Sequence, residues 1–392
     1  MNNDPAIQGV CDPRFERVRE SFIANFATRG DVGASVCVYV DGKPVVDLWG
    51  GYADAARKRL WQEDTIACIA SSGKGITALC AHMLVERGLL DIDAPVARYW
   101  PEFAQAGKAH IPVRWLLSHR AGLPAIREDM PPQSLYDWPA FTAALAATAP
   151  WWEPGTKHGY HATTFGFLVG EVVRRVSGKS IGQFFQTEVA AALGIDAYIG
   201  IPQNKDALAA EILPEPPLPP GELAIFMEMI RDPKSMAARA FLNPPRDPAG
   251  MNTRAWRAAE MPASNGHANA RALARMYGAL ACGGTLDGLH LLDRATIDAA
   301  IVEQSSGPDA VIPSSMSMRF GLGFALPTPE RPFGPNPRAF GHPGRGGSIG
   351  FADLDARVGF GYVMNQYQME SAQNPDRRWP ALVDAVYASL TK

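Results

Sequence analysis

The order of sequence patterns predicts an α+β protein in which strands from both chain ends form one antiparallel sheet. Two apolar runs, 34–40 and 43–51, flank an Asp-Gly pair near the N-terminus. Three further strand-like runs lie near the C-terminus, at 320–326, 348–354 and 358–366. The long middle of the chain shows mainly helical periodicity. We therefore expect an antiparallel sheet flanked by helices, with a mostly helical lobe inserted between its two halves.

The N-terminal elements are an amphipathic helix over 13–29 and a β-hairpin. The hairpin turn is Asp41-Gly42, which suits a type I′ turn because both central positions need a positive φ. The last two strand-like runs are joined by 355–357, which is short enough for a tight turn.

The middle of the chain is predicted to begin with a helix over 74–88. Its apolar residues recur at the spacing of one helical face, at Ile76, Leu79, Cys80, Met83 and Leu84. Shorter or later helices are predicted at 113–118, 140–148, 163–176, 269–284 and 379–391.

A proline-rich segment, 211–262, interrupts this pattern with only a short helical piece at 222–230. We interpret it as a cap or flap over a cleft, although a surface excursion without substrate contact fits equally well. The expected division is a sandwich domain formed by 1–70 and 269–392, and a mainly helical domain, 71–268, that includes the cap.

Composition excludes several classes of protein. The formal net charge of -3 gives no electrostatic basis for binding nucleic acid or an anionic membrane. The N-terminus lacks the pattern of a secretory signal, and no apolar run reaches about 18 residues, so a cytoplasmic location is expected. Five scattered cysteines argue against disulfides and zinc, and Cys37 and Cys80 are predicted to be core thiols. We expect no metal or cofactor, and a homo-oligomer stays open.

Ser71 and Lys74 are the first candidates for catalysis. They lie three residues apart at the start of a predicted helix, so they share one helical face. A serine alcohol becomes a good nucleophile when a base takes its proton, and a lysine amine can be that base. By itself this spacing is more typical of a capped helix with a surface lysine, so the motif needs its structural context.

Tyr160 is the third candidate. The loop Pro154-Gly155-Thr156 leads to it, and a helix follows directly. A phenol close to Lys74 could relay protons between Ser71 and a leaving group. A tyrosine that only packs between two lobes is the alternative.

Four ordered motifs carry a family resemblance: Ser71-x-x-Lys74, the run LLSHRAGLP at 116–124, PGT before Tyr160, and His342-Pro343-Gly344. In this order they resemble class C β-lactamases, DD-peptidases and family VIII carboxylesterases, over roughly residues 15 to 390. The resemblance implies an α/β sandwich with a helical lobe, acylation of Ser71, and acid and base roles shared by Lys74 and Tyr160.

Two departures from the pattern favour an esterase. The β-lactamases and peptidases usually carry Tyr-x-Asn and Lys-Thr-Gly, whereas this chain has Tyr160-His161-Ala162 and His342-Pro343-Gly344. The missing amide and the missing lysine charge are groups that bind a β-lactam and its carboxylate, and a neutral ester needs neither.

The resemblance also suggests the rest of the site. The backbone N–H groups of Ser71 and Arg345 would form the oxyanion hole. Gly344 and its neighbouring glycines would let substrate approach the strand edge. His342, His161 and Trp152 are candidate substrate-binding residues. A solvent-facing His342 and a core-packed Trp152 are equally good interpretations, and His161 could instead support Tyr160.

Ser348 is a competing nucleophile because 346–350 fits the G-x-S-x-G pattern. In α/β-hydrolases that serine lies between a strand and a helix. Here a strand, a turn and another strand follow, so we expect Ser348 to be structural.

The predicted function is a serine carboxylesterase acting on small-molecule esters of short to medium chain length. The alternatives are a β-lactamase or D-alanyl-D-alanine carboxypeptidase, an acyltransferase on the same fold, and a catalytically silent ligand-binding relative.

Overall fold

Strands dominate the two ends of the chain in the computed structural model, which describes residues 7–220, 227, 230–245, 248–312, 317–370 and 375–390. The strands are β1 Gln8–Cys11, β2 Gly33–Val40, β3 Lys43–Gly51, β4 Ala67–Ala70, β5 Ala197–Tyr198, β6 Gly266–Ala268, β7 Thr285–Leu286, β8 Leu289–His290, β9 Arg319–Phe320, β10 Ala325–Leu326, β11 Ala339–Pro343, β12 Ile349–Asp353 and β13 Val358–Met364. Eight of them form one antiparallel sheet in the order β1-β3-β2-β13-β12-β11-β10-β9.

Helices occupy the middle of the chain and flank the sheet. They are α1 Glu16–Thr28, α2 Gly73–Glu86, α3 Val113–Leu117, α4 Trp138–Ala147, α5 Thr164–Ser177, α6 Ile181–Phe185, α7 Ala191–Leu193, α8 Met236–Leu242, α9 Arg254–Ala258, α10 Ala270–Ala281, α11 Arg294–Ala300 and α12 Arg378–Leu390. None of the helices in the described ranges is both long enough and apolar enough to span a bilayer. The predicted helical piece at 222–230 lies almost entirely outside the described residues.

The hairpin predicted around Asp41-Gly42 is confirmed. Strands β2 and β3 pair up to Val40 and Lys43, and the two turn residues have φ values of 49° and 76°. Both values lie in the left-handed region that a type I′ turn requires.

Two parts of the sheet differ from the sequence prediction. The run 320–326 is not one strand: β9 and β10 pair with each other across a reversal that includes Gly323 at a φ of 90°. At the other edge, β1 pairs with β3, although its four residues show no clear strand pattern. Short edge strands depend on a partner strand more than on their own alternation, so sequence periodicity misses them.

The sheet is covered on both faces. Helices α1 and α12 pack on one face, where Phe22, Phe360 and Leu382 are buried in the same apolar cluster. Helix α10 packs on the other face, where a Cβ on Gly359 would lie 2.3 Å from the Gly278 nitrogen. This glycine is therefore needed for the close contact between helix and sheet.

A small three-stranded sheet, in the order β4-β6-β5, connects distant parts of the chain. Its register pairs Ala67 with Ala268, and Ala197 with Ala268 on the other side. The predicted domain limits at residues 70 and 268 thus coincide with strands that pair with each other. The division into two domains stays a prediction, and Ser71 directly follows this sheet.

Arg378, at the start of α12, forms a buried ionic network. Its guanidinium donates to the carboxylates of Asp31, at 3.0 Å, and Asp376, at 2.6 Å. It also donates to the carbonyl oxygen of Gly346, and the Tyr362 hydroxyl donates to Asp31. Because Arg378 bonds Gly346, the network connects α12 to the loop between β11 and β12. All of these groups are shielded from water.

We predict that Arg378→Ala lowers the free energy of unfolding by about 3–5 kcal/mol, because removing one partner leaves buried carboxylates uncompensated. Urea unfolding followed by circular dichroism measures this. Arg377→Ala is the matched control on an exposed neighbour and should change the value by less than about 0.5 kcal/mol. Equal losses in the two variants would contradict the assigned role of the network.

Candidate active site between the sheet and the helical lobe

Ser71 lies on a sharp turn between β4 and α2. The preceding residue, Ala70, has a φ of 43°, which is unusual for a residue with a side chain. Strained backbone of this kind persists where the surroundings fix it, and it is frequent at functional sites. The turn continues directly into the helix, since the Lys74 N–H donates to the Ser71 carbonyl at 2.9 Å.

The Lys74 amine is fully buried and is held by three oxygens. Its Nζ donates to Ser71 Oγ at 3.1 Å, to the Ala162 carbonyl at 2.8 Å and to the Ala263 carbonyl at 3.2 Å. The two carbonyls belong to segments far apart in sequence. The amine is therefore fixed against the serine hydroxyl, as the predicted proton transfer requires.

Tyr160 completes the cluster. Its phenol lies beside Ser71, and the Lys74 Nζ lies 4.8 Å from the centre of its ring. Burial raises the pKa of the phenol above its usual value, and the neighbouring Ser71 hydroxyl opposes this only in part. The structure thus brings together the three residues that the sequence singled out.

The loop between β11 and β12 passes next to the serine. A Cβ on Gly344 would lie 2.3 Å from the Ile69 carbonyl oxygen and 3.0 Å from Ser72 Oγ, so this position must be glycine for the loop to come so close. Arg345 follows directly. Its predicted oxyanion role with Ser71 fits this placement but stays a prediction.

An open cleft of about 210 Å³ leads to Ser71 and Tyr160. One part of its wall is apolar and includes Phe241, Ile312, Met318 and Trp379. Another part carries charged side chains, which are Glu215, Arg331, Arg345, Glu370 and Asp376. The cleft that leads to Ser71 thus offers a substrate both apolar surface and charged side chains.

Comparison with known proteins agrees with this geometry. A family model described as Beta-lactamase matches residues 21–385. The chain belongs to the beta-lactamase family. The fold and the family resemblance predicted from the motifs are both confirmed.

Three relatives of this beta-lactamase family member cover nearly all of it. The crystal structure of a family VIII carboxylesterase is 44% identical, with a TM-score of 0.88, and the match covers 98% of this chain and 99% of that one. A penicillin-binding protein homologue from Caulobacter crescentus is 40% identical, with a TM-score of 0.87 and the same coverage. Esterase/beta-lactamase LipL from Mycobacterium tuberculosis is 38% identical over 91% of this chain and 82% of that protein.

His342 lines the cleft, and its ring stacks on Tyr160 with centroids 6.1 Å apart. Burial and the nearby Lys74 lower the pKa of His342 to about 3, so the ring is neutral at physiological pH. Its Nδ1 lies 2.7 Å from the Pro343 carbonyl and donates to it, while Nε2 is buried without a hydrogen-bond partner. The interpretation as a solvent-facing histidine is therefore wrong.

Two predicted substrate-binding residues lie away from the cleft lining. Both ring nitrogens of His161 are used by backbone groups: Nε2 accepts from the Leu123 N–H at 3.0 Å, and Nδ1 donates to the Gly159 carbonyl. Trp152 packs against Gly159 and donates to the Lys157 carbonyl at 3.1 Å. The ring nitrogens of both side chains bond backbone groups of the protein, so none is left to bind substrate. Through these bonds the two side chains support the loop that carries Tyr160.

Other glycines near the site also permit close contacts within the protein. A Cβ on Gly73 would lie 2.5 Å from the Pro262 carbonyl oxygen, and one on Gly346 would lie 2.4 Å from the Tyr367 ring. Gly344 and Gly346 also line the cleft, so the expectation that glycines of this loop let substrate approach the strand edge stays a prediction.

Ser348, the competing nucleophile, is fully buried. Its hydroxyl donates to the Ile69 carbonyl at 2.8 Å and lies 3.2 Å from Ser72 Oγ. It fastens the β11–β12 loop to the turn that carries Ser71, which agrees with the expected structural role.

Asp309 is a site residue that the sequence analysis missed. Its Oδ1 accepts from the backbone N–H groups of Tyr160, at 3.0 Å, and of Val311 and Ile312. Aspartate after Gly307-Pro308 indicates a turn, but the turn's contact with a residue almost 150 positions earlier is a tertiary feature.

Buried histidines should make the protein less stable in mild acid. Burial lowers the pKa of His161 and His342 to about 3 and that of His267 to about 4. Below the usual histidine pKa of about 6.5, the unfolded chain binds protons that the native state does not yet bind. Each histidine therefore withdraws about 1.4 kcal/mol of stability per pH unit as the pH falls from about 6.5 toward its native value.

Urea unfolding at pH 7 and pH 5 tests this. His267 is remote from the cleft, and His267→Gln should lower the number of protons taken up on unfolding by about one. His110→Gln, on the surface, controls for the substitution itself. A protein equally stable at both pH values would contradict the expectation.

Proposed function

We propose that the protein is a serine carboxylesterase that hydrolyses short- to medium-chain esters through an acyl-enzyme on Ser71. One observation carries this proposal: the Ser71 hydroxyl, the Lys74 amine and the Tyr160 phenol converge at the end of a cleft. Nucleophilic acyl transfer needs such a hydroxyl with proton-transfer groups within hydrogen-bonding distance.

In the first step Lys74 acts as a neutral amine: Nζ keeps its two N–H bonds to the Ala162 and Ala263 carbonyls, and its lone pair accepts the proton of Ser71 Oγ, 3.1 Å away, as Oγ attacks the ester carbonyl. Collapse of the tetrahedral intermediate breaks the bond to the alcohol, which takes a proton from Tyr160. The raised pKa of the phenol keeps that proton in place until the alkoxide forms. The phenol then regains a proton from Lys74.

In the second step water replaces the alcohol and gives up its proton to the same groups as it attacks the acyl-enzyme. Breaking the bond to Ser71 Oγ then releases the acid and returns a proton to the serine. The N–H groups of Ser71 and Arg345 would bind the negative oxygen in both steps. The close contact between Gly344 and Ile69 supports this placement.

The choice of an ester over a β-lactam rests on what this site presents to a substrate. His342 occupies the position of the usual lysine and is uncharged. His161 and Ala162 replace the usual x-Asn, and His161 bonds only backbone. Relatives described as a family VIII carboxylesterase and as an esterase/beta-lactamase support an ester substrate and keep a lactam as the comparison to test.

Cytoplasmic location and the absence of a cofactor stay predictions from the sequence, and the oligomeric state stays open. The apolar wall of the cleft supports acyl chains of modest length, since a volume of about 210 Å³ is too small for a long chain to be enclosed.

We expect Ser71→Ala, Lys74→Met and Tyr160→Phe each to lower kcat/KM for 4-nitrophenyl butyrate by at least about 1000-fold. The three groups act together, so the loss of any one of them disables the whole set. Ser348→Ala is the control and should lose less than about tenfold. A fluorophosphonate probe should label the native protein at Ser71. Absence of labelling, or full activity in Ser71→Ala, would favour a silent binding protein.

Relative turnover of 4-nitrophenyl butyrate and nitrocefin decides between an esterase and a β-lactamase. We expect the ester to have the higher kcat/KM by at least about 100-fold, because the groups that hold a lactam carboxylate are replaced. Faster relative turnover of nitrocefin would contradict the proposal. Butanolysis products formed in the presence of added butanol would instead identify an acyltransferase.

A further inference from the structure

The arginines that line the cleft are already neutralised by the protein. Arg331 pairs with Glu370 at 2.5 Å, and Arg345 pairs with Glu215 at 2.9 Å. Asp376, also in the lining, is held by the buried Arg378. Among the described lining residues, each of the charged groups therefore has a partner of opposite charge.

The pair of Arg345 and Glu215 has the geometry of two parallel hydrogen bonds. Arg345 Nε donates to Glu215 Oε1 at 3.1 Å, and Nη2 donates to Oε2 at 3.1 Å. This is the arrangement by which a guanidinium binds a carboxylate most specifically. Glu215 thus takes the position that the carboxylate of a substrate would occupy on Arg345.

Glu215 reaches this position because the chain before it is anchored to the end of β13. The Leu213 N–H donates to the Asn365 carbonyl at 2.9 Å, and the Gln366 side chain donates to the Pro214 carbonyl at 2.7 Å. Only 12% of the Glu215 side chain is exposed, whereas 48% of the Arg345 side chain is. The carboxylate is therefore fixed rather than free to swing away from the cleft.

The 211–262 segment contributes to the cleft a second time through Phe241 on α8. This side chain belongs to the apolar wall together with Ile312, Met318 and Trp379. The segment thus supplies both apolar surface and a negative charge near the nucleophile. The interpretation as a surface excursion without contact to the site is disfavoured by these two contacts.

We propose that Glu215 is a specificity residue that selects uncharged esters by occupying the guanidinium of Arg345, an inference that rests on the proposed esterase function. A carboxylate-bearing ester must displace Glu215 or leave its own charge unpaired against an apolar wall. Either route is costly, because burying an unpaired charge is far less favourable than burying an apolar group. An uncharged acyl chain of the same length meets no such barrier.

The test uses the full-length protein and two substrates of similar length, 4-nitrophenyl heptanoate and the mono-4-nitrophenyl ester of adipic acid. The native protein should prefer the heptanoate in kcat/KM by at least about tenfold. Glu215→Gln keeps the size of the side chain but releases the guanidinium, and should raise the adipate-to-heptanoate ratio by at least about tenfold. Adding Arg345→Gln should cancel that gain.

Glu188→Gln is the matched control, because Glu188 accepts from Arg87 and Lys179 outside the cleft. It should leave the substrate ratio unchanged. An unchanged ratio in Glu215→Gln, with heptanoate still hydrolysed, overturns the specificity role alone. A native protein that hydrolyses both esters equally overturns it without any variant, and one that hydrolyses neither overturns the esterase proposal as well.

Discussion

Burial of the Lys74 amine against Ser71 is the constraint on which the rest of the site depends. The amine is shielded from water, so its hydrogens must be met by oxygens of the protein. Those oxygens come from Ser71, from Ala162 beside Tyr160 and from Ala263 just before β6. The buried amine thereby holds three segments that are distant in sequence close together. Their packing sets the 3.1 Å distance between Lys74 Nζ and Ser71 Oγ.

The large sheet completes the site by bringing the β11–β12 loop to the serine. Gly344 can approach Ile69 only because it lacks a side chain, and Ser348 fastens the same loop by donating to the Ile69 carbonyl. Behind the loop, Arg378 donates to the Gly346 carbonyl and links it to α12. The stability of the large sheet and the geometry of the cleft thus depend on the same buried polar contacts.

The charge distribution around the cleft is consistent with uncharged substrates at two independent positions. His342 is a neutral ring where related enzymes usually carry a lysine. Arg345 is positively charged, but the Glu215 carboxylate faces it in a two-bond arrangement. An anionic substrate would need positive charge to bind here. His342 removes it because it replaces a lysine, and Glu215 removes it because it pairs with Arg345.

Local sequence was sufficient where a short-range rule applies. The hairpin at Asp41-Gly42, the periodicity of α2 and the spacing of Ser71 and Lys74 each depend on residues close in the chain. The order of the motifs predicted the family, which the family model that matches residues 21–385 confirms.

Tertiary structure decided what depends on distant partners. The left-handed Ala70, the support of Tyr160 by Asp309, and the contact of Glu215 with Arg345, 130 residues away, have no local signature. His161 was predicted to contact substrate, yet its ring nitrogens bond the backbone of Leu123 in another loop and of Gly159 in its own. Chemical type can be read from a sequence, but the partner that satisfies a buried polar group is chosen by packing.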